Sequence, residues 1–352
     1  MVKMIINSSF LISESFELLK EGHIVIDDNK IMEINEGYEV GGLDCRRYLV
    51  MPGLINAHTH VGDSFAKEAV LGMSVGEAVG RRGIKWRLYK EVDESGILNA
   101  MRNSLRFMLN AGVTGFVDFR EGGLEGVNLL RRAMREFPIR SIILGRDMNI
   151  CECDGLGLNV YQLDQIPKDR NGKIIAIHAG EKDKEVEIAL ENDPDVIIHF
   201  VHFTEDDLET AYKKEVSIVL CPRSNAALGV GLPRVRKILD SGITVVLGTD
   251  NVMINSPDMF REMEFLLKVS YLNKGVSPVD VLKMATVNAA KIFGFNSGTI
   301  EKGRNADLIF IDLNAPNLNY NKNLIATIVN RCNPENVRKV MVAGRFVLDK
   351  DV

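Results

Sequence analysis

The chain has 352 residues, 46% of them hydrophobic and 26% charged. That is the balance of a globular protein, with length for one large barrel and a small appended domain. A net charge of −5 argues against general nucleic-acid binding, which carries a basic excess. No run approaches ~18 apolar residues, and MVKMIINSSFLI lacks a signal-peptide core and cleavage site. Neither a membrane span nor export is expected, and a cytoplasmic setting is. The cysteines (Cys45, Cys151, Cys153, Cys221, Cys332) are odd in number and irregularly spaced, which suits reduced thiols. Cys151-x-Cys153 has no second pair to complete a tetrahedral metal set.

Residues 1–49 read as short strands, MVKMIIN and then HIVIDDNKIMEINE, turned at Asp27-Asp28-Asn29. A strand at 50–58 leads into a long segment, 61–91, followed by a helix near 93–110. The pattern continues with strand 114–119, helix 124–135 and strand 139–145, then strands near 174–178, 195–199, 216–220 and 244–248. An abbreviated strand is expected near Leu158–Tyr161, and one helix over 278–293, opened by Ser-Pro and closed at Gly294. ADLIFIDL (306–313) and VRKVMVAGRFVLD (337–349) return to strands. The alternation predicts an α/β fold, with a parallel (β/α) barrel over 50–296. The two ends, 1–49 and 297–352, would pair into one small β domain.

Five polar residues end apolar, β-branched runs: His58 and His60 in VMPGLINAHTH, His178 in KIIAIHAGE, His199 in DVIIHFVH and Asp250 in TVVLGTD. Side chains at i and i+2 of a strand share a face, so His58 and His60 can reach one ion. Strand C-termini are where a (β/α) barrel carries its catalytic groups. A lone strand-end histidine is more often a hydrogen-bonded core residue. Five such groups in barrel order are too costly to desolvate without a shared cation. Neutral imidazoles plus a carboxylate suit Zn²⁺, and Fe²⁺ or Mn²⁺ fit the same donors. One divalent metal is expected, in a metallohydrolase.

PGLINAHTH, HAGE, IIHFVH, CPRSN, LGTD and the tail SGTIEKGRNADLIFID together resemble the amidohydrolase superfamily over nearly the whole chain. The branch they resemble is that of cytosine deaminase, guanine deaminase, S-adenosylhomocysteine deaminase and the triazine hydrolases. The resemblance implies a (β/α)8 TIM-like barrel with a β-sandwich built from both ends. It also implies His58, His60, His178 and Asp250 as metal ligands, with His199 beside the activated water or the developing oxyanion and Asp250 helping to steady it. His178-x-x-Glu181 resembles the deaminase branch in particular and implies Glu181 as the proton shuttle, a task suited to a carboxylate near the water but off the metal. The implied reaction is hydrolytic deamination, with ammonia release, of an amino-substituted N-heterocycle: a purine, pterin, pyrimidine or nucleoside-like molecule. His202 is expected to pack or cap behind His199, and His23 to be structural.

Binuclear members of the superfamily often use a carbamylated lysine on the fourth strand, and 147–167 contains no lysine, which favours one metal. The segment VGDSFAKEAVLGMSVGEAVGRRGIKW departs from the apolar opening of several deaminases, so the substrate stays open. Arg120, Arg146 and Arg223 follow strand ends, and Arg81, Arg82, Lys85 and Arg87 surround Trp86. Guanidinium forks suit an anionic substrate, with Trp86 as a stacking lid. The plainer alternative is that these cations neutralise Asp118, Glu121, Asp147 and Glu152. Two rival functions are a cyclic amide or amidine ring hydrolase on the same scaffold, and a non-enzymatic binding or assembly barrel. The expected partner is a small heterocycle; a homo-oligomer is left open.

Overall fold

A computed structural model describes residues 3–351. Four strands open the chain: β1 (Met4–Ile12), β2 (Glu17–Asp27), β3 (Lys30–Glu36) and β4 (Leu43–Pro52). The barrel strands are β5 (Leu54–His60), β6 (Val113–Arg120), β7 (Arg140–Gly145), β8 (Gly155–Asn159), β9 (Ile174–Ala179), β10 (Val196–His199), β11 (Ser217–Leu220), β12 (Val245–Leu247) and β13 (Asp250–Asn251). Three more close the chain: β14 (Leu308–Ile311), β15 (Val337–Val342) and β16 (Arg345–Asp349).

The parallel sheet runs β12-β11-β10-β9-β8-β7-β6-β5-β13. β12 and β13 are two parts of one strand interrupted at Gly248-Thr249, and pairing of Asp250 with Thr59 joins the last strand to the first. Eight strand positions therefore close a ring, as a (β/α)8 barrel requires. Gly248 sits where a Cβ would lie 2.6 Å from the His58 Cβ and 2.7 Å from its backbone nitrogen, so only glycine lets the two strands meet. Period-2 alternation sorts the strand side chains. Val117, Phe119, Leu144, Ala176, Val196, Ile198, Val219 and Val246 form one buried cluster. Ile175, Ile177, Ile197, Ile218 and Leu220 join a second, with helical residues such as Met101, Leu105, Leu130 and Met263.

The chain ends combine in one seven-stranded mixed sheet, β16-β15-β14-β4-β1-β2-β3. Residues 50–52 belong to it through β4, so the first barrel strand begins at Leu54 rather than Val50. The break falls at Gly53, whose N–H donates to the Asp307 carbonyl. The fourth barrel strand is Gly155–Asn159, three residues earlier than the sequence suggested. The single helix expected over 278–293 is two, Pro278–Met284 and Val287–Phe293. The Ala285 carbonyl leaves the helix to accept from the Ile55 N–H, and Thr286 Oγ1 bonds back to the Leu282 carbonyl. No helix among the described residues is long and apolar enough to cross a membrane.

Candidate metal centre and active site

His58 and His60 lie on β5 two residues apart, while the intervening Thr59 hydroxyl turns away to the Val117 carbonyl. His178 stands near the end of β9, His199 ends β10 and Asp250 opens β13. His199 (φ 79°) and Asp250 (φ 60°) both adopt left-handed backbone, a conformation costly for non-glycine residues that clusters at functional sites.

One donor atom from each of His58, His60, His178 and Asp250 falls within 4.8 Å of all the others, and all four residues are buried. His178 Nε2 is 3.3 Å from His58 Nε2 and 3.3 Å from His60 Nε2. Asp250 Oδ1 is 3.1 Å from His58 Nε2 and 3.5 Å from His60 Nε2. Tetrahedral coordination with bonds of about 2.0–2.1 Å sets donor atoms about 3.3–3.4 Å apart. Four of the six donor pairs stand at 3.1–3.5 Å, close to that spacing.

The protonation pattern suits a cation as well. Burial pushes His58 down to about 3 and holds His178 well below the ordinary range, so both imidazoles are neutral. His178 Nδ1 donates to the Leu158 carbonyl at 3.1 Å, which leaves its Nε2 lone pair facing the cluster. His60 Nδ1 donates to Glu121 Oε1 at 2.9 Å with the same result, a carboxylate–histidine pair of the kind that orients metal ligands. Imidazole nitrogens facing one another at 3.3 Å repel unless a proton or a metal cation lies between them. The residues fit a divalent metal.

His199 Nδ1 donates to Asn225 Oδ1 at 2.9 Å, and its Nε2 lies 3.7 Å from Glu181 Oε1. Glu181 is outside the four-donor cluster. Burial raises its carboxyl above the ordinary glutamate value, Asp250 and Glu185 add to the shift, and His199 and Lys182 oppose it. Both residues line a cleft that also contains His60, His178, Asp250, Arg146 and Trp86. A larger open groove between Asp183 and Arg234 touches only His202 among the predicted residues, so the chemistry belongs to the smaller cleft.

The arginines divide. Arg146 lines the cleft, is buried, and its Nε and Nη2 have no hydrogen-bond partner. Arg120 is buried elsewhere. Its Nε donates to the Glu121 carbonyl, its Nη2 donates to the Tyr89 hydroxyl, and its guanidinium fills the space beside Gly62. Arg223 donates to the Ser256 carbonyl and pairs with buried Glu262 at 3.4 Å, again outside the cleft lining. Arg120 and Arg223 are held by these neighbours outside the cleft lining, although Arg120 Nη1 is buried with no hydrogen-bond partner. Trp86 forms part of the wall, with its indole N–H donating to the Gly80 carbonyl.

The sequence suggested Glu121 only as an acid to be neutralised and Lys85 only as one of the cations around Trp86, and the two pair with each other, buried against the centre. The one available signal was the position of Glu121 directly after a barrel strand. Asn225 and Ser224, which hold His199 and Asp250, were missed as individuals though CPRSN was noticed. Cys151 is exposed and Cys153 buried, and neither joins a metal-type cluster among the described residues. His202 Nε2 donates to the Val230 carbonyl, and His23 is held between Gly37 and Asn35 in the terminal sheet.

Comparison with known proteins gives relatives across the whole length. A protein of Methanothermobacter thermautotrophicus named "Putative aminohydrolase" is 34% identical, covering 92% of this chain and 94% of its own. A 5-methylthioadenosine/S-adenosylhomocysteine deaminase of Pyrococcus furiosus is 29% identical, covering 90% and 88%. Among solved structures, a zinc-bound adenosine deaminase from Xanthomonas campestris shares the fold with a TM-score of 0.82 at 18% identity, over 99% of this chain and 93% of that one. The model of the amidohydrolase family matches residues 49–155 and 161–347. The chain belongs to the amidohydrolase family.

Proposed function

We propose that the protein is a zinc-dependent aminohydrolase that deaminates an amino-substituted N-heterocycle. The observation that carries the reading is the pairing of a four-donor metal cluster with a buried carboxylate, Glu181, held just off it. Relatives named as 5-methylthioadenosine/S-adenosylhomocysteine deaminases favour a purine-type ring. His58, His60, His178 and Asp250 would hold the metal, which supplies Lewis acidity and lowers the pKa of a bound water to about 7.

The other steps fall to side chains of the cleft. Glu181, with its carboxyl raised by burial, takes one proton from the attacking water and delivers it to the ring nitrogen. It then takes the second from the hydroxyl of the tetrahedral adduct and passes it to the departing amine as the C–N bond breaks. His199, fixed by Asn225 with Nε2 bare, accepts from the water and orients it toward the ring. Ser224 donates to Asp250 Oδ2 and keeps Oδ1 turned to the imidazoles. Val79, Leu228, Ile254 and Trp86 give the ring an apolar wall, and Arg146 offers a buried guanidinium to an anionic substituent.

The test is a screen of purines, pterins, pyrimidines, triazines and their nucleosides for ammonia release by metal-loaded protein. Ammonia from at least one heterocycle is expected. Ring-opened product without ammonia, or no turnover of any class, would overturn the reading.

A further inference from the structure

Beside the metal cluster lies a second group of metal-ligating residues, His60, Asp63 and Glu121, all buried. A cation of the chain itself already sits among them. Lys85 Nζ is 2.7 Å from Asp63 Oδ2 and 2.6 Å from Glu121 Oε1, on a side chain as buried as the acids it joins. The acids are otherwise engaged. Asp63 accepts from the Tyr89 hydroxyl and the Asn251 amide, and Glu121 Oε1 accepts from His60 Nδ1. Glu121 Oε2 is buried with no hydrogen-bond partner. Arg120 and Arg146 approach Glu121 only to 3.8 and 4.0 Å, so Lys85 alone among the cations donates to its carboxylate.

We infer that the ammonium of Lys85 stands in the place of a second cation, and that this residue keeps the centre at one metal. The oxygen spacing around Nζ suits a large hard ion: Ca²⁺ binds carboxylates at about 2.3–2.6 Å and accepts loose, partly hydrated geometry. The nitrogen-rich cluster next to it selects a transition metal instead, so the two positions differ in the ion they prefer. Lys85 lines the cleft, which gives an incoming ion a route to the position. The residue is also a positioning group, because it holds the carboxylate that fixes the His60 tautomer.

The inference rests on the metal-centre reading above, and the experiment separates the two. Lys85→Met keeps the packed stem and, one heavy atom shorter, vacates the position of Nζ. Zinc-loaded wild type, Lys85→Met and Lys85→Arg are dialysed against radiolabelled Ca²⁺, and zinc and calcium are counted per chain. The expected result is one zinc in each protein, one calcium in Lys85→Met, and none in wild type or Lys85→Arg. Calcium should also raise the melting temperature of Lys85→Met alone. No calcium on Lys85→Met, or equal calcium on wild type, overturns the inference, while absence of zinc from wild type overturns the metal-centre reading instead. Lys85→Ala, with more room at the same place, is read in the same way should the methionine variant fold poorly.

Discussion

Replacing Glu181 by glutamine separates proton transfer from everything else the site does. The amide keeps the size of the side chain but can neither take nor return a proton. Glu181 contributes no atom to the four-donor cluster, so the variant should hold metal as the wild type does. The carboxyl lies 3.7 Å from His199 Nε2, on the open side of the cluster where an attacking water must stand. General acid–base catalysis is worth about 10²–10⁴-fold, or about 2.7–5.4 kcal/mol of barrier, and Glu181→Gln should lose that much in kcat. The pH profile gives an independent readout. Because burial raises the carboxyl, the acid limb of kcat/KM should lie above the ordinary glutamate value, and it should vanish from the residual activity of the variant. The assay is ammonia release from whichever heterocycle the screen identifies, with metal counted on the same samples. Turnover within about tenfold of wild type and an unchanged acid limb would remove Glu181 from the mechanism; loss of metal would place it among the ligands.

Arg146→Met should raise KM for an anionic substrate by about 10- to 150-fold, the equivalent of 1.5–3 kcal/mol for a charge-assisted hydrogen bond, and leave an uncharged analogue unaffected. Equal effects on both analogues would make Arg146 structural. Arg223→Met should instead leave KM alone and cost up to about 3–5 kcal/mol of stability, because it removes the cation beside buried Glu262 and leaves that carboxyl only the backbone N–H of residue 223. Burial already raises Glu262 to about 7, against the pull of Arg223. The folded state therefore takes up a proton between about pH 4.5 and 7, and the Glu262 contribution to stability falls as pH rises across that window. Loss of Arg223 should extend the fall above pH 7, which melting curves at pH 6 and pH 9 would detect; a pH-independent loss would contradict it. Gly248→Ala should force β12 and β13 away from β5 and cost about 1–3 kcal/mol, with less than one metal per chain. Full metal content at an unchanged melting temperature would show that the strand crossing is not so tight.

The four donors of the metal-type cluster were legible because three local rules coincide on them. Each ends an apolar run, each therefore stands at the C-terminal mouth of a parallel strand, and two obey the i, i+2 rule of a pleated strand. Such rules depend on a residue and its near neighbours, which a sequence displays. The arginines obeyed the same positional rule, and two of the three point elsewhere. What directs them lies far along the chain: Tyr89, 31 positions before Arg120, and Glu262, 39 positions after Arg223. A strand-end position thus tells where a backbone emerges but not which acceptor a long, flexible side chain will find. Histidine and aspartate, being short, have little choice once the backbone is placed. The segment 61–91 was the least legible part, since three short helical turns without sustained periodicity leave no 3.6-residue signal. Yet it delivers Asp63, Lys85 and Trp86 to the cleft and its support. The four-donor cluster follows from strand geometry, whereas its charged surroundings follow from long-range pairing, as Lys85 with Glu121 and Arg223 with Glu262.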